Sequence, residues 1–557
     1  MKNVKKLTAF MLAGAMIFGA SANVALADDS VSRTAVTIEN SVDSLTIQPG
    51  TTTSKLNFNW YAPKGTTKAL IKFGGKTYEA NKSELHKPTE LVDEKYTDSG
   101  KISCSATVKS IKSGKKYTYS ISNDGGETWS EDYTYTAPKK DNFNFVFIGD
   151  AQIREDGEHD DRGWNSLDGS NQTGWAAMVD SIQKTGTSLI VSAGDQVEDQ
   201  SWGKTSEYSA FFAPEGLTNI AFAPAVGNHD RHYMFEDHFN IPNEMETSKT
   251  DTDKANVLTE VKTSFRGQNS GTSQSHGNYF KATADEIASN TAVNGVAPNA
   301  EGYYDYTERR EVETKANYYY LYNNILFVTL NTGAYPGGND PEDGIDKDNS
   351  EAEALVTNYR KTLKAATKKY KGKYKWLIVT HHKSTESVAK HTCDSDVENY
   401  YDAGFEKLMD EFDVDLCLAG HDHVYARSAV LKDGKVTSTS KNKFKNPDGT
   451  IYITGNCSSD MQYYTPFEKL DKNNNSDYTT LQNGESGSEA YLKGKDAADG
   501  SEYLPYGNLV YSQDYSPAYV LFKVKGNKLN AKTLELDGDS SNPITKAVDK
   551  FTITKTK

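Results

Sequence analysis

The chain has 557 residues, with 62 Lys and Arg set against 77 Asp and Glu, a formal charge of -15 at neutral pH. So acidic a surface disfavours nucleic-acid backbones and anionic membranes, and an anionic ligand has to be drawn in by a local positive centre. Four cysteines, Cys104, Cys393, Cys417 and Cys457, are too few and too scattered for a disulfide framework, and none has zinc-finger spacing.

Lys2, Lys5 and Lys6 give a basic start, followed by an apolar stretch over 7–20 and the small-residue site Ala25-Leu26-Ala27. This is the pattern of a secretory signal peptide cleaved before Asp28; the stretch is short and glycine-bearing for a transmembrane anchor. No cysteine follows the cleavage site to carry a lipid, and no other segment offers about 18 consecutive apolar residues, so the expectation is a soluble, exported chain. Cleavage removes three lysines and no acid, which takes the formal charge from -15 to -18.

From 31 to 138, short runs such as Lys55-Leu56-Asn57-Phe58-Asn59-Trp60 and Tyr117-Thr118-Tyr119-Ser120-Ile121 alternate apolar and polar residues between turn clusters. They predict an all-β sandwich that closes over 129–138 and continues into the linker Lys139-Lys140-Asp141. The module resembles a fibronectin type III-like domain of the kind found at the N-terminus of purple acid phosphatases, with a role as spacer or lid.

From Asn142 the pattern changes to apolar strands over 143–148, 188–191, 220–226, 376–380 and 414–419. They end at Gly149-Asp150, Gly194-Asp195, Gly227-Asn228-His229-Asp230, His381-His382 and Gly420-His421-Asp422-His423. Five strand ends bearing metal-ligand residue types imply one crevice at one edge of a layered sheet. In the last of them two imidazoles stand two residues apart, where an extended segment puts both on one face and a loop aims both into one cavity. Trp175, Met178, Val179 and Ile182 fall at helical spacing and read as core. Cys417 lies inside an apolar run as a small buried hydrophobe, while a Cys393–Cys457 bridge stays open.

Two stretches rich in Asn, Asp, Gly, Ser and Tyr, 245–317 and 460–511, look inserted and are candidates for covering a site. Asp346-Lys347-Asp348-Asn349-Ser350 and 471–477 have a faint calcium-loop look but lack the central glycine and closing glutamate. Tyr303, Tyr304, Tyr463 and Tyr464 are candidates for stacking on a substrate, or solvated padding. No Gly-rich nucleotide cradle is present.

In this order, each after an apolar strand, the motifs over 142–460 resemble those of the calcineurin-like metallophosphoesterases. The resemblance implies an α/β domain of four layers, a β-sandwich flanked by helices, over 142–535. It also implies two metal ions, of zinc, manganese or iron, and a small phosphorylated substrate, with neither duplex nucleic acid nor a membrane as partner. The reaction is hydrolysis of phosphate esters by a water held between the metals, with phosphomonoesters expected and phosphodiesters or nucleotides as the alternative. A metal-binding or adhesin-like protein with little catalysis is the alternative of another class.

Carried over by position, Asp150 and His423 match ligands of the first metal, Asp195 the bridge, and Asn228 and His421 ligands of the second. In relatives with an N-terminal sandwich the remaining ligand stands six residues after the strand's Trp and nine before a later His. His382 fits both counts, from Trp376 and to His391, with His381 as its neighbour. Gln152 stands where many members have a histidine, and Glu198 where purple acid phosphatases have a tyrosine, so no purple colour is expected. Gln152 is taken as a contact of the first metal or its water, and Glu198 as an acceptor behind it. His229 is the expected hydrogen-bond or proton donor to the phosphoryl group or leaving oxygen, its ring oriented by Asp230. Arg231, His232, His381 and His391 are candidates for substrate contact or for support of the ligands.

Overall fold

The computed structural model describes residues 42–85, 99–154, 171–198, 205–230, 232–245, 256–266, 288–289, 303–313, 315–333, 345–346, 350–438, 440–466, 508–537 and 543–556. The signal-peptide segment, Arg231, the side chain of His232, the side chains of Tyr303 and Tyr304, the 347–349 and 471–477 parts of the calcium-like segments and most of both inserted stretches lie outside that set. Among the described residues no helix is long and apolar enough to cross a membrane.

The N-terminal region is a sandwich of two antiparallel four-stranded sheets. One orders Asp43–Pro49, Lys55–Pro63, Lys101–Lys109 and Asn81–Glu84, the other Lys76–Glu79, Leu70–Phe73, Lys116–Ser122 and Tyr133–Thr136. Alternation turns Phe58, Trp60, Ile71, Phe73, Tyr119 and Ile121 into the space between them. Strand Lys55–Pro63 departs from simple alternation, because its outward residues are buried as well. Segment 237–240 covers that face: Asn57 Nδ2 donates to the Asn240 carbonyl at 2.8 Å, and Ser103 Oγ to the Asp237 carbonyl at 3.0 Å.

The rest of the chain is a mixed α/β domain built on two large sheets. In the first, Ala221–Ala223, Leu189–Ser192 and Asn142–Ile148 run parallel, and Ala518–Lys525, Lys528–Asp537 and Ile544–Thr554 continue it antiparallel. The expected end at 535 therefore falls inside a strand; Ile544–Thr554 follows it in the sheet, and Lys443–Lys445 completes the sheet by pairing parallel with that strand. In the second, Ile325–Thr329, Trp376–Lys383, Leu416–Gly420 and Thr450–Thr454 run parallel. The first inserted stretch contributes strands Asn256–Arg266 and Tyr303–Glu313 to a small separate sheet.

The two large sheets share an apolar core, where Phe145 stacks on Phe522 (centroids 4.6 Å) and meets Phe327 edge-on (5.3 Å). Helix Asn171–Lys184 covers the outer face of the first sheet through Trp175, Met178, Val179 and Ile182, all fully buried. Helices Ser350–Lys369 and Phe405–Glu411 cover the second through Leu355, Tyr359, Leu363 and Leu408. With helices outside and sheets inside, the C-terminal ends of the parallel strands from both sheets open at one edge. The motif residues sit there.

Candidate metal centre

The loops at this edge are forced into conformations that ordinary residues avoid. Gln152, Asp195, His421 and His423 all have positive φ, at 42°, 46°, 69° and 37°. Each costs backbone strain that the surrounding structure has to offset, and such strain concentrates at functional sites. Of the two arrangements open to the His-x-His pair, an extended segment or a loop at the strand end, the chain takes the loop, with both histidines left-handed. Two glycines make the crowding feasible: a Cβ on Gly227 would stand 1.9 Å from Asp195 Oδ1, and one on Gly420 2.1 Å from Asp150 Oδ1. Only a residue without a side chain lets these carboxylates lie so close to the backbone.

Asp150 and Asp195 are fully buried acids. Asp150 accepts the His421 backbone N–H through both oxygens, at 3.0 and 2.9 Å, and its Oδ2 lies 3.0 Å from His423 Nε2. Asp195 accepts the His229 N–H at 2.9 Å, and its Oδ2 lies 3.2 Å from His382 Nε2. His382 Nε2 also stands 2.8 Å from Asn228 Oδ1. Asp195, His382 and His421 bring their ligand atoms within 4.8 Å of one another, and so do His391, Asp394 and His421. The two clusters share His421, and their grouping is consistent with a dinuclear metal-binding site.

The tautomers show why the donor set fits cations. His382 Nδ1 lies 3.1 Å from the Ala193 carbonyl and His423 Nδ1 3.0 Å from the Gln462 carbonyl, so each Nδ1 must carry the proton. Nε2 of each ring then faces carboxylate or amide oxygens. Burial works to lower His382, but Asp195 and Asp150 beside it raise it, so a positive charge is favoured between this ring and the acids, and a bound cation would supply one there. Three buried atoms without a hydrogen-bond partner add to the fit: Gln152 Oε1, Glu198 Oε2 and His421 Nε2. Burial works to raise the Asp195 carboxyl, but His382 and His229 beside it hold it well below the usual carboxylate range. For His421 burial dominates and drops the ring to about 3, which keeps it neutral and able to coordinate.

The other expected residues divide. Burial works to lower His229, yet the charges of Asp195 and Glu198 bring it up to about 9. Its Nδ1 donates to the Glu198 carbonyl at 2.6 Å, with Glu198 Oε2 3.8 Å away. Asp230 does not orient this ring. Its Oδ1 accepts the Gln196 N–H at 3.0 Å and the Tyr208 hydroxyl at 3.1 Å, and its Oδ2 accepts the Gly227 N–H at 3.0 Å. The carboxylate is consumed as a clamp between the loop carrying Asp195 and the loop carrying Asn228. His381 and His382 lie inside strand Trp376–Lys383, where a register shift after Thr380 separates their fates. His382 enters the site, whereas His381 packs on Phe405 with ring centroids 4.7 Å apart, and burial lowers it to about 3.

His391 belongs to the site: its ring is 4.5 Å from that of His421 and 4.7 Å from that of Tyr464. Two acids that sequence reasoning left without a role hold it there. Asp394 Oδ2 bonds His391 Nδ1 at 2.6 Å and lies 3.5 Å from His421 Nε2. Asp422, between the paired histidines, accepts the backbone N–H groups of Ala389 at 2.8 Å and His391 at 2.9 Å. A carboxylate flanked by two imidazoles was a visible signal for Asp422; Asp394 gave none beyond its i+3 spacing from His391. Tyr463 and Tyr464 are buried, so neither is solvated padding. Cys457 is a free, buried thiol, and the side chain of Cys393 lies outside the described residues.

The family model of the calcineurin-like phosphoesterases matches residues 143–425. A purple acid phosphatase from seeds of yellow lupin (Lupinus luteus) is similar in structure at 16% identity, with 93% of this chain and 75% of that one covered and a TM-score of 0.55. The similarity to GAP50, the anchor in the inner membrane complex of Plasmodium, is 13% identity over 74% of this chain and 90% of that one, TM-score 0.33. That to a dimetal phosphatase from Danio rerio is 12% over 73% and 99%, TM-score 0.32. No curated protein matches the sequence significantly.

Proposed function

The chain belongs to the calcineurin-like phosphoesterase family, is a metal-dependent hydrolase with a dinuclear site, and we propose that it acts on small phosphomonoesters outside the cell. Asp150, His423 and Gln152 would hold the first metal and Asn228, His382 and His421 the second, with Asp195 as the acid shared between them. The observation that carries this division is the pairing of each proton-fixed imidazole with its own acid, His423 with Asp150 and His382 with Asp195. Two bound divalent ions would supply an activated water near neutral pH and neutralise the phosphoryl oxygens.

The chain's own residues supply the rest. His229 has Nδ1 committed to the Glu198 carbonyl, which leaves Nε2 to serve the phosphoryl group or the leaving oxygen. His391, held through Nδ1 by Asp394, approaches the same space from the second sheet. Asp422 holds the backbone of His391, and Asp230 holds together the loops that carry Asp195 and Asn228. The monoester preference rests on the likeness to purple acid phosphatases, export on the basic and apolar start of the sequence. The N-terminal sandwich we read as fibronectin type III-like.

The test is a rate panel on aryl monoester, aryl diester, nucleotides and phytate, with metals exchanged after chelation. The monoester should turn over fastest and only in metal-loaded protein. Diester or nucleotide rates above the monoester rate would reverse the substrate assignment, and two bound metals without turnover on any substrate would leave a binding protein.

A further inference from the structure

We propose that Tyr61, His238 and Tyr208 are positioning residues that make the N-terminal sandwich part of the support of the metal centre, an inference that rests on the assignment of Asp195 and Asn228 as ligands. The four side chains from Tyr61 to Asp230 form a continuous buried chain. Tyr61, on strand Lys55–Pro63 of the sandwich, is 1% exposed, and its hydroxyl bonds Nδ1 of His238 at the end of helix His232–His238. The His238 ring stacks on Tyr208 with centroids 3.6 Å apart and planes 18° from parallel. The Tyr208 hydroxyl donates to Asp230 Oδ1 at 3.1 Å, and Asp230 clamps the Gln196 and Gly227 N–H groups, one beside each metal loop.

This polar chain runs through an aromatic surrounding that includes Phe212 and Phe239. Burying two hydroxyls and an imidazole among phenyl rings is costly unless each finds its partner, so the set is stable only as a set. Loss of the Tyr61 hydroxyl leaves His238 Nδ1 without that bond, and the ring has latitude to shift on Tyr208. The shift passes to Asp230 and so to the spacing between the loops of Asp195 and Asn228. A separate contact of the same interface, Asn57 to the Asn240 carbonyl, joins the two regions without entering this chain.

The experiment uses the full chain stripped by chelator, titrated with manganese, alongside turnover of an aryl phosphate and thermal unfolding. Tyr61→Phe and Tyr208→Phe, which keep their rings, should each weaken the weaker-bound manganese by about 5-fold, the effect of one net hydrogen bond. The double variant should stay near the single-variant value, because both changes break one chain. Asn57→Ala should lower the unfolding temperature while leaving manganese affinity at the parent value. Unchanged manganese affinity in folded Tyr61→Phe would overturn the proposal, and so would a double variant weakened by the product, about 25-fold for independent sites. Affinity is read without turnover, so a parent that binds two manganese ions and hydrolyses nothing removes the phosphoesterase reading and leaves this one to be judged on binding.

Discussion

Around His382 the partners are crowded: Asn228 Oδ1 at 2.8 Å, the Ala193 carbonyl at 3.1 Å, Asp195 Oδ2 at 3.2 Å and the His421 ring 4.9 Å away. Around His423 stand Asp150 at 3.0 Å and the Gln462 carbonyl at 3.0 Å, while Gln152 on the Asp150 loop keeps a buried oxygen without a hydrogen-bond partner. One half of the centre offers two imidazoles and the other a single imidazole with an amide. The halves should therefore differ in the metals they accept: the nitrogen-rich half suits zinc, the oxygen-rich half manganese, iron or magnesium.

The largest expected effects come from emptying each half in turn. His382→Ala and His423→Ala should each lose one metal by elemental analysis, with turnover falling about 100- to 1000-fold, as for removal of a group that stabilises transition-state charge. If the two variants lost the same metal, or neither lost one, the division into halves would be wrong. Asp394→Asn should lower kcat about 10- to 100-fold at unchanged metal content, because Asp394 holds His391 rather than a metal in the proposed division. A drop in metal content would place Asp394 among the ligands instead. The smallest effect sharpens the contrast directly: Gln152→His should tighten zinc at the oxygen-rich half about 10-fold, seen in competition with a chromophoric chelator. No change there would separate Gln152 from the first metal. The iron-loaded parent should also lack tyrosinate absorption in the visible, since Glu198 stands at the tyrosine position.

Much of the site was legible because its chemistry is local. An Asp or His directly after an apolar strand marks a strand end wherever the strands go, and the helix stripe from Trp175 to Ile182 announces a buried face. What stayed hidden depends on the tertiary structure. The left-handed turns at Gln152, Asp195, His421 and His423 are imposed by loops from two sheets meeting at one edge; Asp and His tolerate positive φ better than most residues, but residue type does not say which of them adopts it. His381 and His382 are indistinguishable by residue type; the irregular register after Thr380 separates them. Asp230 looked like a partner for its neighbour His229, yet backbone N–H groups from two loops and the Tyr208 hydroxyl claim its oxygens. The outward face of strand Lys55–Pro63 is buried by a segment about 180 residues away, and sequence alternation carries no sign of that docking.

The bridge is the claim on which both halves depend, since two cations bound in adjacent halves of one site would repel unless an anion stood between them. Metal stoichiometry of Asp195→Asn against the parent, measured after chelation and reloading with manganese, tests it most directly. Two metals per parent chain and one or none in the folded variant, with turnover lost, is the predicted result; two metals and undiminished turnover in Asp195→Asn would contradict it.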